Sequence, residues 1–270
     1  MGASDRPAGG SGVRRLSIAA FIAIVIVDLA IIQGVGRLGE AGLDGVEDGH
    51  LRTSEQVALG LLLPVGLSVV FVYAVVAVLG WWRPVFVDDR PVQRWVWVVP
   101  IAFAIAVGLT IDYADLADRG VGFVLLLLLA ALCVGFGEEG MFRGIGVTTF
   151  RVNGFSEGKV ALWSSVVFGA VHLSNAISTG GSAIVQAIAV SFAGYFFYLT
   201  RRVSGGLIVP ALIHGLFDFS ILSGAADDEP YVGGLAAIVV YPVVAVILLA
   251  RRHRIEPSSA TPRPAGNAGP

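Results

Sequence analysis

Residues 121–143 read VGFVLLLLLAALCVGFGEEGMFR, an apolar run that ends in two adjacent glutamates and an arginine. A helix needs about 20 apolar residues to cross a hydrocarbon core of about 30 Å. Seven more apolar segments of comparable length occur, at 16–35, 57–81, 95–111, 160–177, 182–200, 205–222 and 231–250. Spanning β-strands would need only about 9–11 alternating residues, so these lengths favour helices. The sequence therefore predicts an all-α protein, a polytopic membrane bundle of about eight transmembrane helices.

The composition points the same way and excludes an ordinary soluble domain. Of the 270 residues, 56% are hydrophobic and only 14% are charged, and the mean hydropathy is +0.80. Soluble domains carry about 25% charged residues. Cys133 is the one cysteine, so an intramolecular disulfide is impossible and a Cys-based zinc site is disfavoured. We expect the lipid bilayer as the surroundings and no nucleic acid as a partner.

The basic residues between the segments fall almost entirely on one side. Of the 18 Lys and Arg, 15 lie on the side that holds both termini, and the other side has only Arg37, Arg52 and Arg119. Basic residues concentrate in cytoplasmic connections. We therefore predict an integral, multi-pass membrane protein with both termini in the cytoplasm. Its domain organisation would be a disordered tail at 1–15, an eight-helix membrane domain at 16–250 and a second disordered tail at 251–270.

Ionisable side chains are rare inside the apolar segments, and each needs a reason, because one costs roughly 2.5–3.5 kcal/mol at a helix centre. They are Asp28 in the first segment, Glu138, Glu139 and Arg143 at the end of the fourth, His172 in the fifth, and His214 and Asp218 in the seventh. At a rise of 1.5 Å per residue, the ionisable residues of the fourth, fifth and seventh segments fall in the cytoplasmic half of the membrane. Such convergence of three segments favours a shared polar site.

The spacing of these residues indicates different tasks. Glu139 and Arg143 are four apart with the acid first, the favourable order for a helical ion pair. Glu138 lacks that partner and is free to accept a proton from water, as a general base does. His214 and Asp218 share a helix face, where they could hydrogen-bond each other, ligate a metal or hold an oxyanion. For Asp28 we expect a polar partner in the interior of the bundle.

Three motifs in this part of the chain resemble those of a known family. Glu138-Glu139-xxx-Arg143, Phe168-xxx-His172 and His214-xxx-Asp218 are similar to the patterns EExxxR, FxxxH and Hxxx(N/B). These belong to the CAAX protease and bacteriocin-processing family of intramembrane endopeptidases, which includes the type II CAAX prenyl endopeptidases. The resemblance covers about 121–222, a protease-like core. It implies a hydrolase that cleaves a membrane-associated peptide or protein substrate, as in CAAX-box protein processing.

The resemblance also implies a role for each motif residue. Glu138 would activate water and His172 would help to hold it, while Glu139 and Arg143 would form the supporting pair. His214 and the residue at 218 would stabilise the oxyanion of the tetrahedral intermediate.

Asp218 departs from the family pattern, because many relatives have Asn there and an ionised Asp cannot donate a hydrogen bond to an oxyanion. It is either protonated, or it orients His214, or it ligates a metal. We favour a glutamic-type protease without a cofactor. A zinc ion on Glu138, His172, His214 and Asp218 stays open as the metallo-type alternative, although the chain has no HExxH motif.

Two functions of other classes remain as alternatives. A proton- or ion-coupled transporter would explain Asp28, since intramembrane acids also mark ion pathways. A catalytically inactive relative that acts as an immunity or scaffold protein is left open by Asp218.

Overall fold

The regular secondary structure is helical in the part of the chain that the computed structural model describes, which is residues 14–41, 43, 51–90, 92–175, 182–224 and 234–256. The all-α prediction is confirmed for these residues. In chain order the helices are α1 (Ile18–Glu40), α2 (Ser54–Leu79), the short α3 (Trp82–Phe86), α4 (Arg94–Thr110), α5 (Tyr113–Val152), α6 (Glu157–Val171), α7 (Ser182–Ser204), α8 (Ile208–Ser223) and α9 (Gly234–Ala250).

Each predicted apolar segment coincides with one of these helices. Among the described helices, three are long and apolar enough to cross a membrane, namely α1, α2 and α5. The helices α4 and α8 are apolar but shorter. The helices thus agree with a membrane protein, while the number of eight spans remains a prediction.

Helix α5 continues well past residue 142, where the fourth apolar segment was predicted to end. Its first part, Tyr113–Glu138, is α-helical, the turn Glu139–Gly146 is π-helical, and Val147–Val152 is α-helical again. All residues of the π-helical turn are buried. Arg143, which the charge count placed in a connection, therefore lies inside a helix with a fully buried side chain. Wide turns of this kind inside α-helices occur frequently at functional sites.

Two glycines let α5 and α8 pack backbone against backbone. A Cβ on Gly135 would lie 2.3 Å from a carbonyl oxygen of α8, and one on Gly215 would lie 2.8 Å from a carbonyl oxygen of α5. Small residues at such crossings allow membrane helices to approach closely. Glu138 lies almost one turn after Gly135, and His214 directly precedes Gly215. The close approach therefore brings the acidic end of α5 to the imidazole of α8.

A second group of charges ties the helix ends together near the connection between α3 and α4. We call it the arginine cluster: Asp88, Arg151, Glu157, Arg201 and Arg202. Asp88 Oδ2 accepts hydrogen bonds from Arg201 Nε and Arg151 Nη1, both at 2.9 Å. Arg151 also donates to both oxygens of Glu157, at 3.0 and 2.8 Å. The cluster thereby fixes the ends of α5, α6 and α7 relative to one another.

The carboxylates of the arginine cluster are held in their charged form. Burial would raise the pKa of Asp88, but the guanidinium groups of Arg151 and Arg201 lower it below its usual value. Burial would likewise raise the pKa of Glu157, but hydrogen bonds from Arg151 and Tyr198 lower it to about 2.

The described ends of the two predicted tails contact the bundle. Arg15 donates to the side-chain oxygen of Asn153 from two nitrogens, at 3.1 and 3.0 Å. Near the other end, Glu256 pairs with Arg202 at 3.0 Å. The rest of both tails, 1–13 and 257–270, lies outside the described residues, and so does the disorder predicted there.

Candidate functional site

Helices α5 and α8 bring five of the six predicted site residues together. We call them the glutamate–histidine cluster: Glu138, Glu139, Arg143, His214 and Asp218. Nδ1 of His214 lies 3.0 Å from Glu139 Oε1. Its Nε2 lies 3.7 Å from Glu138 Oε2 and 3.6 Å from Asp218 Oδ2. Three carboxylates from two helices thus surround a single imidazole.

The contact with Glu139 fixes which nitrogen of the His214 ring carries a proton and where the other nitrogen points. A carboxylate oxygen only accepts, so Nδ1 of His214 must carry the proton of this hydrogen bond. Nε2 is then directed between Glu138 and Asp218, at distances too long for hydrogen bonds. The ring therefore has one nitrogen anchored and the other placed between two carboxylates.

Glu139 and Arg143 form the predicted ion pair. Arg143 Nη1 lies 3.0 Å from Glu139 Oε1, and both side chains are fully buried. This contact lacks hydrogen-bond geometry: within the described part of the chain, Glu139 Oε2 and the three guanidinium nitrogens of Arg143 have no hydrogen-bond partner. The guanidinium instead lies over the ring of Phe168, 4.0 Å from its centroid. A cation–π contact of this kind partly offsets the cost of burying the charge.

Aromatic rings hold the imidazole from two sides. Phe197 of α7 stacks on His214 with centroids 4.6 Å apart and planes 13° apart. Phe168 of α6 meets the same imidazole edge to face, at 5.8 Å and 86°. Phe168 is part of the FxxxH motif, and its two contacts explain why a large ring is needed there. Phe197 was missed by the sequence analysis, because it is one of several aromatic residues in α7 and carries no distinguishing pattern.

His172 directly follows the end of α6, and it lines a small cavity together with Glu138. Its Nδ1 lies 2.9 Å from the carbonyl oxygen of Phe168, which can only accept, so Nδ1 carries the proton. Nε2 is thereby left as an acceptor when the ring is neutral. The cavity has a volume of about 120 Å³, and its lining includes Glu138, His172 and Asp28. Since water occupies about 30 Å³ per molecule in the liquid, this volume has room for a few waters.

Asp28 has the interior polar partner that the sequence predicted. Its Oδ1 accepts a hydrogen bond of 2.7 Å from the hydroxyl of Ser68 in α2. Ser68 was not singled out from the sequence, although it is a hydroxyl residue within the apolar run of α2 and could have been noticed there.

The four residues considered as zinc ligands do not fit a metal as they are arranged. No group of three or more His, Cys, Asp or Glu side chains in the described ranges is placed to hold a metal ion. The Nδ1 contacts of His214 and His172 do not count against a metal, because a metal-bound imidazole commonly donates its other N–H to a carboxylate or carbonyl oxygen. The geometry therefore gives the zinc alternative no support.

Comparison with known proteins identifies the segment that carries this site. Residues 120–220 match the family model Rce1-like, described as type II CAAX prenyl endopeptidase Rce1-like. No curated protein and no solved structure matches the chain. The matched segment runs from α5 to α8 and contains all three motifs. Over residues 120–220 the chain is therefore similar to the type II CAAX prenyl endopeptidases of the Rce1-like family, which supports the resemblance that the motifs predicted.

Proposed function

We propose that this protein is an intramembrane endopeptidase in which Glu138 activates a water molecule and no metal ion takes part. The placement of Glu138 is the observation that carries the proposal. Its side chain is 25% exposed and borders the cavity that it shares with His172. The adjacent Glu139 is fully buried and paired. Two neighbouring carboxylates thus have different surroundings, which suits one for proton transfer and the other for support.

In the proposed reaction, Glu138 removes a proton from water while the water oxygen attacks the carbonyl carbon of the scissile peptide. His172 accepts a hydrogen bond from the same water at Nε2 and so orients its lone pair. The proton held by Glu138 then passes to the nitrogen of the leaving amine as the C–N bond breaks. This is general acid–base catalysis by one carboxylate, and such a group contributes typically 10²–10⁴-fold to a rate.

The tetrahedral intermediate carries a negative oxygen that needs a donor. His214, protonated at Nε2, would supply it, since that atom points away from the Glu139 hydrogen bond. An imidazolium there is balanced by the surrounding carboxylates. Of the three roles left open for Asp218, orienting and balancing His214 agrees best with the 3.6 Å separation between Oδ2 and Nε2.

The substrate in this proposal is a membrane-associated peptide or protein, such as a CAAX-box chain end, cleaved near the cytoplasmic face. A site among apolar helices favours substrates that arrive through the bilayer. The cytoplasmic orientation of both termini, and of the reacting end of α5, rests on the strong one-sidedness of the basic residues.

The decisive experiment measures cleavage of farnesylated and unmodified peptides by the purified protein in detergent. Glu138→Gln should lower kcat/KM by about 10³-fold, whereas Glu55→Gln, an exposed acid at the start of α2, should leave it unchanged. A strong chelator should have no effect. Cleavage that survives in Glu138→Gln would disprove the glutamate mechanism, and cleavage that needs added zinc would disprove its metal-free form. If no form cleaves any peptide, ion flux in vesicles would test the transporter next.

A further inference from the structure

Helix α1 lies outside the segment that matches the family, yet it contributes a carboxylate to the same cavity. Asp28 is the acidic residue in the middle of α1, and it is 7% exposed. A carboxylate inside a membrane helix is costly and commonly marks a function. Its surroundings, rather than its sequence position alone, indicate what that function is.

The same cavity is lined by Asp28 and by the residues proposed to bind the attacking water. Asp28 from α1, Glu138 from α5 and His172 at the end of α6 all line the volume of about 120 Å³. The hydrogen bond from Ser68 holds Asp28 in place at 2.7 Å. Ser68 is itself close to α5, because a Cβ on Gly137 would lie 3.6 Å from its hydroxyl oxygen. The Asp28–Ser68 pair is thus built against the turn that carries Glu138.

A carboxylate can accept about four hydrogen bonds. The bond from Ser68 uses one of these, which leaves Asp28 with acceptor capacity towards the cavity. The other polar groups on the cavity walls include Gln33 and Ser174, which hydrogen-bond each other at 3.3 Å. The walls are therefore polar enough, and the volume large enough, to hold water on several partners.

We propose that Asp28 is a positioning residue of this site: held by Ser68, its carboxylate binds and orients the water that reaches Glu138 and His172. This inference rests on the proposed hydrolysis for its catalytic consequence. It makes α1 and α2 part of the working site, although the family match begins only in α5. The competing explanation is that Asp28 and Ser68 merely join α1 to α2.

Steady-state kinetics separate positioning from packing. Asp28→Leu should lower kcat about 100-fold with KM within twofold, since misplacing a reacting group by about 1 Å can cost that much. Asp28→Asn keeps an acceptor oxygen and should retain about a tenth of the wild-type kcat. The kcat of Ser68→Ala should lie between the kcat values of Asp28→Leu and Asp28→Asn. Val76→Ala, a fully buried residue of α2 away from this cavity, should lower the Tm without changing kcat. Equal kcat in all four variants, after correction for folded protein, would overturn the proposal.

A second measurement needs no cleavage. In a Cys133→Ala background, Asp28→Cys should react with a water-soluble methanethiosulfonate, because the thiolate forms only where water reaches the thiol. The controls are Val76→Cys in the buried core and Ile26→Cys on the outer face of α1, where Ile26 is 60% exposed. We expect labelling of Asp28→Cys at least tenfold faster than of either control. Equal labelling of the three would overturn the water-lined wall. If Asp28→Cys is labelled while the wild type cleaves nothing, the proposed function fails, but the water-accessible position of Asp28 in the cavity is supported.

Discussion

The two buried charge clusters of this protein use their arginines in opposite ways. In the arginine cluster, Arg201 donates from all three nitrogens to Asp88 and to three backbone carbonyl oxygens, at 2.6–3.2 Å. In the glutamate–histidine cluster, the equally buried Arg143 makes an ion pair with Glu139 and an aromatic contact, and its three nitrogens have no hydrogen-bond partner among the described residues. Every nitrogen of the Arg201 guanidinium donates a hydrogen bond, whereas no nitrogen of the Arg143 guanidinium does so within the described residues.

This difference distinguishes charged residues that stabilise the fold from charged residues that serve the proposed reaction. A buried charge is tolerated at low cost only when its donors and acceptors are paired. A cluster that satisfies every donor stabilises one arrangement of helix ends, as Asp88 and Arg201 do. A cluster with unpaired polar atoms is less stable than it could be, which is common where activity needs reactive groups.

The largest predicted effect comes from removing the two arginines in turn. Arg201→Met should destabilise the protein by about 3–5 kcal/mol, because it removes one of the two guanidinium partners of the buried Asp88. The activity of the remaining folded protein should be nearly normal. Arg143→Met should cost less stability, because fewer hydrogen bonds are lost, but should lower kcat/KM about 100-fold by releasing Glu139 and with it His214.

Thermal unfolding and peptide cleavage, measured on the same preparations, test this pair. The comparison fails if Arg143→Met lowers the Tm more than Arg201→Met does. It also fails if Arg201→Met abolishes cleavage at temperatures where the variant is folded.

The second effect in size concerns how the glutamate–histidine cluster is assembled. Gly135→Ala should separate α5 from α8, because the new methyl group would lie 2.3 Å from a backbone oxygen. We expect a loss of about 1–3 kcal/mol from overpacking and at least a tenfold loss of cleavage, since His214 would move away from Glu138. Gly122→Ala is the matched control on the same helix, because a Cβ there meets nothing within 4 Å. Similar behaviour of the two variants would show that the close approach is unimportant.

The sequence predicts the helices and the local pairs but not the contacts between helices. Run lengths place eight segments on helices, and the four-residue spacing gives the Glu139–Arg143 pair. Both depend only on neighbours in the chain. The interior partner of Asp28 was also expected. Ser68 could have been noticed as a hydroxyl residue in the apolar run of α2, but nothing in the sequence assigns it to Asp28.

The arginine cluster shows the same limit. Asp88, Arg151 and Arg201 come from three separate connections or helix ends. The count of Lys and Arg treated the two arginines only as charges in connections. Their burial arises from tertiary packing, which no local spacing encodes. The π-helical turn at Glu139–Gly146 was missed for a related reason. Its three glycines weaken an α-helix, but they do not by themselves specify a π-helical turn.

A smaller effect tests whether the charge of Glu157 contributes to the stability that the arginine cluster provides. The pKa of Glu157 is lowered from 4.5 to about 2 in the folded protein, so its charged form stabilises folding above about pH 4.5 and this contribution is lost as the pH falls towards 2. Glu157→Gln should therefore lower the Tm by about 2–4 °C at pH 7. The difference from the wild type should shrink steadily between pH 5 and pH 2.5. A constant difference over that range would mean that Glu157 acts through packing rather than through its charge.

The smallest effect is expected at Asp218, where the glutamate–histidine cluster departs from the family pattern. If Asp218 orients His214 through their 3.6 Å contact, an amide of the same shape keeps an acceptor oxygen beside Nε2, and Asp218→Asn should keep kcat/KM within about tenfold of the wild type. Asp218→Leu removes that acceptor and should lose much more. Full activity of Asp218→Leu would leave Asp218 no part in orienting the imidazole, and the oxyanion would then depend on His214 alone.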